Sequence, residues 1–299
     1  MRLWIGTENG LHEVGDGEGV HFAGRAVTAL TREGARWWWT LLDGREVLRG
    51  GPGGWKPVAS LEGPAGTSVL AAGGAVWVGT EGAHLVRVEG SRLAPVEAFD
   101  RAPGRDRWYT PWGDPADVRS LAAGADGVVY VNVHVGGVVR SADAGRAWQP
   151  TVDIEADVHQ VLAHPTRAGV VLAAAAVGLL VSGDGGETWR TETAGLHATY
   201  ARAVAVAGES VLLSVSSGPG GRRAGLYRRP LDADGPFERC REGLPEWFGS
   251  NVDTGCLAAA GPTAALGTDA GDVFVSTDAG VSWSRLAKGL PPITCVAPA

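Results

Sequence analysis

Two arginines and a histidine recur at one register in this chain. Aligning DVRSLA (117–122), DVHQVLA (157–163) and YARAVAV (200–206) puts Arg119, His159 and Arg202 in equivalent positions. Period-two alternation then points all three the same way along their strands. A guanidinium recognises carboxylate or phosphate through a fork of hydrogen bonds, so the chemistry implied is capture of an anion. The corresponding residues elsewhere, Val27 and Ile293, are bland. The structural alternative is ion pairing with Asp117, Asp157 or Asp253 at neighbouring strand starts.

A second concentration lies in FDRAPGRDRWYTPWGDPADVR (99–119), where Trp108, Tyr109 and Trp112 stand beside Arg105, Arg107, Asp114 and Asp117. Long loops without structure in a compact domain are usually functional. Aromatics next to Arg and Asp suit stacking on a planar or sugar-like ligand, and an aromatic plug over the fold is the alternative. Neighbouring loops add Glu155, His197, Tyr200, Arg222, Arg223, Trp247, Asn251 and Asp253, and His134 ends a strand nearby. Imidazoles at 134, 159 and 197 raise the question of a metal, but no local His-x-x-x-His spacing supports one, and no metal or cofactor is expected. No serine stands in the strained strand-to-helix turn that activates a nucleophile.

The elements that must position these residues are repeats. Ser-x-Asp-x-Gly-x-x-Trp occurs three times, as Ser141 to Trp148, Ser182 to Trp189 and Ser276 to Trp283, each after a short apolar run. The Ser and Asp side chains bond the turn's own backbone, Gly supplies a left-handed position, and Trp anchors the next strand by burial. The carboxylates Asp143, Asp184 and Asp278 therefore read as structural. Trp148 and Trp189 are about forty residues apart, one unit of four short strands. A degenerate copy lies between Trp189 and Trp283, with Pro230-Leu-Asp232-Ala-Asp234-Gly235 as its turn and Phe237 for the Trp. Toward the N-terminus the motif fades while the strand pattern persists.

Seven units in 299 residues give about 43 each. The prediction is an all-β, seven-bladed β-propeller of four-stranded antiparallel blades in a single domain. Blade 1 takes 3–24 plus 293–299, and the others take about 26–60, 67–98, 117–151, 157–193, 201–240 and 255–287. Blade 1 lacks an innermost strand at the N-terminus, and PPITCVAPA (291–299) supplies it, closing the ring and removing sheet edges.

Gly at 46 residues and Pro at 17 suit many tight turns, and 44% apolar residues suffice for a packed core. A net charge of −7 argues against general nucleic-acid binding, which needs a positive field. The longest apolar stretch, 170–181, is too short to span a bilayer, no leader pattern precedes the first strand, and the cysteines Cys240, Cys256 and Cys295 show no metal spacing. A cytoplasmic protein with no membrane partner is expected.

The three turn motifs and the closing strand resemble the Asp-box, or BNR, repeat proteins of the WD40/YVTN/BNR-like superfamily. That group includes sialidases, xyloglucan-cleaving glycoside hydrolases, sortilin-type receptors and the photosystem II assembly factor, and seven units look most like the last and like the single-propeller proteins loosely labelled glycosyl hydrolase or sialidase-like. The resemblance to sialidases implies an arginine triad, imitated by Arg119, Arg202 and Arg222 or Arg223, with Tyr200 and Glu155 as a nucleophile pair. The Arg-Ile-Pro signature is absent, and the blade count departs from the six of sialidases.

Two functions remain open. One is a binding propeller whose mouth over blades 4–6 takes an anionic small molecule, glycan or peptide segment. The other is a glycoside hydrolase or lyase using the acids Asp114, Asp117, Glu155, Asp157 and Asp253, which needs two carboxyls roughly 5–10 Å apart.

Overall fold

The computed structural model describes residues 1–299. Seven four-stranded antiparallel sheets hold all the strands, and the fold is the seven-bladed β-propeller that the repeats predict. Blades 2 to 7 span 27–60, 66–95, 118–150, 158–192, 200–239 and 257–287, and in each the strands are hydrogen-bonded in chain order. Blade 1 differs. Its strands Arg2–Thr7, Gly10–Gly15 and Gly19–His21 are joined by the C-terminal strand Ile293–Pro298, which pairs antiparallel with Arg2–Thr7. No helix is long and apolar enough to cross a membrane.

The repeat motif builds one turn three times. Ser141 Oγ donates to Asp143 Oδ1 and accepts from the Gly145 N–H, both at 2.8 Å. Asp143 Oδ1 also accepts from the N–H groups of Arg146 and Ala147 at 2.9 Å. Ser182 and Asp184, and again Ser276 and Asp278, repeat the pattern. The glycines Gly145, Gly186 and Gly280 have φ of 89°, 88° and 83°, which an L-residue resists. Hydrogen bonds from Ser282, first its hydroxyl and then its N–H, with that of Ser276, hold the Asp278 carboxyl down to about 2. These carboxylates are committed to their turns. In blade 6 the degenerate turn puts Phe237 in the place of the indole, 3% exposed, with Arg229 over its ring at 4.6 Å.

Packing separates two units. One comprises Met1–Val27, Ala174–Leu179 and Thr191–Ala299, and the other Thr28–Ala173 and Leu180–Arg190. The first is centred on an apolar core that includes Leu3, Ile5, Leu212, Leu266, Phe274 and Trp283. The second includes a core around Trp77, Phe99 and Trp148 and another around Trp39, Leu41, Val69 and Val78. All three cysteines are buried free thiols, and burial pushes Cys240 up to about 12.

Candidate functional site

The inner strands carry one extra residue each where the arginines sit. Val118 pairs with Val133 and Ser120 with Asn132, so Arg119 bulges out of register. Arg202 does the same between Ala201 and Ala203, and Thr67 between Gly66 and Ser68. In the closing strand Gly6 pairs with Cys295 and Thr7 with Ile293. The residue corresponding to Arg119 there is consequently Thr294, not the Ile293 expected from alignment. A bulge re-aims its side chain relative to strict alternation. Where that residue is threonine the hydroxyl bonds a neighbouring inner strand, Thr67 to the Val118 carbonyl and Thr294 to the Val27 carbonyl. Arg119 and His159 belong to one unit and Arg202 to the other.

In the first of these groups the centre is a carboxylate. A 3-10 turn, Ile154–Ala156, is capped by Asp153, whose side chain accepts the Glu155 N–H at 3.0 Å. It delivers Asp157 at φ 46°, ψ 71°, a left-handed conformation that Asp tolerates better than most residues. His159 Nε2 lies 3.4 Å from Asp157 Oδ2, and His134 Nε2 lies 3.9 Å from Oδ1. Both imidazoles are almost fully buried. Burial pushes the Asp157 carboxyl up, but the hydrogen bond and charge of His159, then His134 and Arg119, carry it below the usual carboxylate range. Asp117 moves the opposite way. Burial raises it against a hydrogen bond from the Gly82 backbone, and the charges of Glu81 and Asp114 raise it further while Arg119 opposes them. The His134 ring lies 4.8 Å from that of Trp112, which is 63% exposed.

The rest of the 99–119 loop is less open than the sequence implies. Its start is helical over Glu97–Asp100, followed by a 3-10 turn at Arg105–Arg107. Trp108 packs against Phe99 at 5.5 Å between ring centres, and Arg105 stacks over Trp108 at 5.1 Å. Phe99 in turn meets Trp148 edge-on at 5.2 Å. Trp108 therefore belongs to a plug over the core, while Arg107, Tyr109 and Trp112 stay exposed.

In the other unit Arg202 is committed to an acid. Its Nε and Nη2 lie 2.7 and 2.5 Å from Asp253 Oδ1, and its guanidinium sits 5.9 Å from the Tyr200 ring. A second cluster nearby in sequence is centred on an indole. Arg239 lies 3.6 Å from the ring centre of Trp247, and Arg223 lies 5.0 Å from it. The His197 ring is 4.9 Å from Trp247 and stacks on Tyr227, whose hydroxyl is 2.7 Å from His197 Nδ1. Neither arginine is bonded to a carboxylate, and Arg239 Nε is buried without a hydrogen-bond partner. Burial lowers the Arg239 pKa against the pull of Tyr227 and, less strongly, of Glu246, while Arg241 and Arg223 lower it further. Burial, then Arg223 and Arg239, hold His197 below the ordinary histidine value. Arg223 is held at φ 54°, an uncommon conformation for a long side chain. Gly225 gives the indole its room, since a Cβ there would lie 3.3 Å from Trp247 and 3.4 Å from Arg239 Nε.

The sequence thus named Arg223, Trp247 and His197 but missed Arg239 and Tyr227. Their signal was faint: Arg239 sits in the degenerate outer strand of blade 6, opposite Tyr227. No grouping of three or more His, Cys, Asp or Glu side chains suited to a metal ion is present.

No family model matches the sequence, and no curated protein matches it. Solved structures do share the fold. A structure described as YCF48 bound to D1 peptide is 14% identical, covers 96% of this chain and 86% of that one, and has a TM-score of 0.60. An ancestral GH74 enzyme is 14% identical over 96% of this chain and 40% of its own, with a TM-score of 0.66. A putative 6-phosphogluconolactonase from Bacteroides uniformis is 11% identical over 99% and 98%, with a TM-score of 0.65. One peptide complex, one glycoside hydrolase and one presumed lactonase share the architecture. Function follows the site and not the fold.

Proposed function

We propose that this chain is a ligand-binding propeller whose Arg223–Trp247–Arg239 group captures an anionic small molecule or peptide segment through carboxylate or phosphate oxygens. One observation carries the reading: two guanidinium groups converge on an indole with no carboxylate bonded to either. Like charges crowded in this way are repelled until an anion arrives, and each charge-assisted hydrogen bond to it contributes about 1.5–3 kcal/mol. Trp247 and the His197–Tyr227 pair fix the arginines in place, which reduces the ordering cost of binding. A propeller of similar fold, YCF48, is bound to a peptide in its solved structure, which supports a peptide segment as one class of ligand.

Calorimetric titration with citrate and with a short Asp/Glu-rich peptide tests the reading. Replacing Arg239 or Trp247 by alanine should weaken either ligand about 10-fold or more, and unchanged affinity in both variants would sink it. A hydrolytic reading has one observation in its favour, the raised pKa of Asp117 beside Asp114 and Glu81, as a general acid requires. Turnover of aryl glycosides that vanishes in Asp117→Asn would favour that reading instead.

A further inference from the structure

The two loops that carry Arg223 and Trp247 are tied to each other by their backbones. Ala224 and Phe248 form an antiparallel bridge, with the Phe248 N–H donating to the Ala224 carbonyl at 2.9 Å. Arg223 and Trp247 flank this bridged pair, and the guanidinium lies 5.0 Å from the ring centre. Asn251 Nδ2 adds a second tie, donating to the Pro219 carbonyl at 3.1 Å. Gly221 comes so near that a Cβ there would lie 2.6 Å from the Asn251 nitrogen. Arg239 reaches the same indole from the outer strand Glu238–Arg239, at 3.6 Å.

The formal charges gathered here repel one another. Arg241 and Arg223 both act against the charge of Arg239, and Glu246 supports it less strongly than Arg241 opposes it. Burial keeps the Tyr227 hydroxyl protonated, and burial with the two arginines favours neutral His197. Arg223, Arg239 and Arg241 against Glu246 leave an excess of two positive charges, in a chain whose net charge is −7. A carboxylate offers one charge and two coplanar oxygens, which a single guanidinium fork satisfies. A phosphate monoester above its second pKa of about 6 offers two charges and three oxygens, enough for two forks.

We propose that the occupant of this group is a phosphate monoester whose terminal oxygens are shared between Arg223 and Arg239. This occupant presupposes the anion-binding reading and narrows it to one chemical class. The recognised group is the same in a small phosphorylated metabolite and in a phosphorylated side chain of a peptide.

Calorimetry on the full chain at about pH 7.5 compares phenyl phosphate with benzoate and with phenyl sulfate, which has the same terminal oxygens but a single charge. Phenyl phosphate should bind about 10-fold tighter than either, and amide shift mapping should place it at Arg223, Arg239 and Trp247. Arg223→Ala, a change at an exposed side chain, should bring phenyl phosphate to within about threefold of phenyl sulfate. Arg239→Lys keeps the charge but loses the fork, and should weaken phenyl phosphate about fivefold. Glycerol phosphate and a phosphoserine peptide separate the two sources: equal affinities favour the metabolite, and a peptide about 10-fold tighter favours the modified side chain. Equal binding of phosphate and sulfate esters, or a preference that survives Arg223→Ala, would overturn the proposal. Citrate binding that still depends on Arg239 would then leave the broader anion reading standing, whereas no binding of any anion would remove both.

Discussion

The group around Asp157 and the group around Trp247 use the same kinds of side chain and end in opposite electrostatic states. Histidine, arginine and an aromatic ring meet in each. In the first, two imidazoles and Arg119 surround a carboxylate and carry its pKa below the usual range against the effect of burial. In the second they surround an indole, which attracts cations through its face without neutralising them. A carboxylate at the centre makes an internally closed network, whereas a ring leaves charge for something outside. Arg202 with Asp253 follows the first pattern.

The largest expected effect is at the closed network. Asp157→Ala removes the acid that His134, His159 and Arg119 share and places alanine in a left-handed conformation. Chemical denaturation should report a loss of about 3 kcal/mol, the lower end for a broken buried pair because the carboxylate is partly exposed. Asp157→Asn tolerates the backbone better and should lose less. It should also gain affinity for citrate, because the centre would then resemble the open group; no gain would break the comparison. At the open group, Trp247→Ala should weaken citrate about 10-fold while costing little stability, a combination the closed network does not allow.

A smaller effect separates function from stability. Arg223→Gly relieves the positive φ and should stabilise the fold by about 1 kcal/mol while weakening anion binding. The smallest concerns pH. The folded His197 pKa lies below its unfolded value, so its neutral form contributes stability that is present above the unfolded pKa and is lost as pH falls through the folded one. The same protonation adds positive charge beside Trp247, so citrate affinity should rise as stability falls. Titrations across about pH 5 to 8 in wild type and His197→Gln would show whether that opposition depends on the imidazole.

The architecture was legible because its turn chemistry is local. Ser, Asp, Gly and Trp at fixed spacing specify one turn, and Phe237 could be recognised as a substitute from the strands on either side. Arg119 and Arg202 do share a position, each lying where the pairing of its strand shifts by one residue. Their charge state was not legible, because it depends on a one-residue bulge and on the left-handed turn that swings Asp157 toward two imidazoles. The shift from Ile293 to Thr294 is the same effect in miniature. Arg239 was missed because what matters is its packing on Trp247, in a loop that alternation does not describe. For Trp108 a ligand platform and a plug both stayed open, because nothing in the loop's composition announces its contact with Phe99.

The pairing of Ile293–Pro298 with Arg2–Thr7 has a temporal consequence. The two strands adjoin in space but lie about 290 residues apart in the sequence, so blade 1 lacks its innermost strand until the stretch between them has been synthesised. At ordinary rates of elongation that interval is on the order of tens of seconds. Through it the nascent Arg2–Thr7 edge offers unsatisfied amides to any passing strand, the kind of exposure that invites chaperones or mispairing.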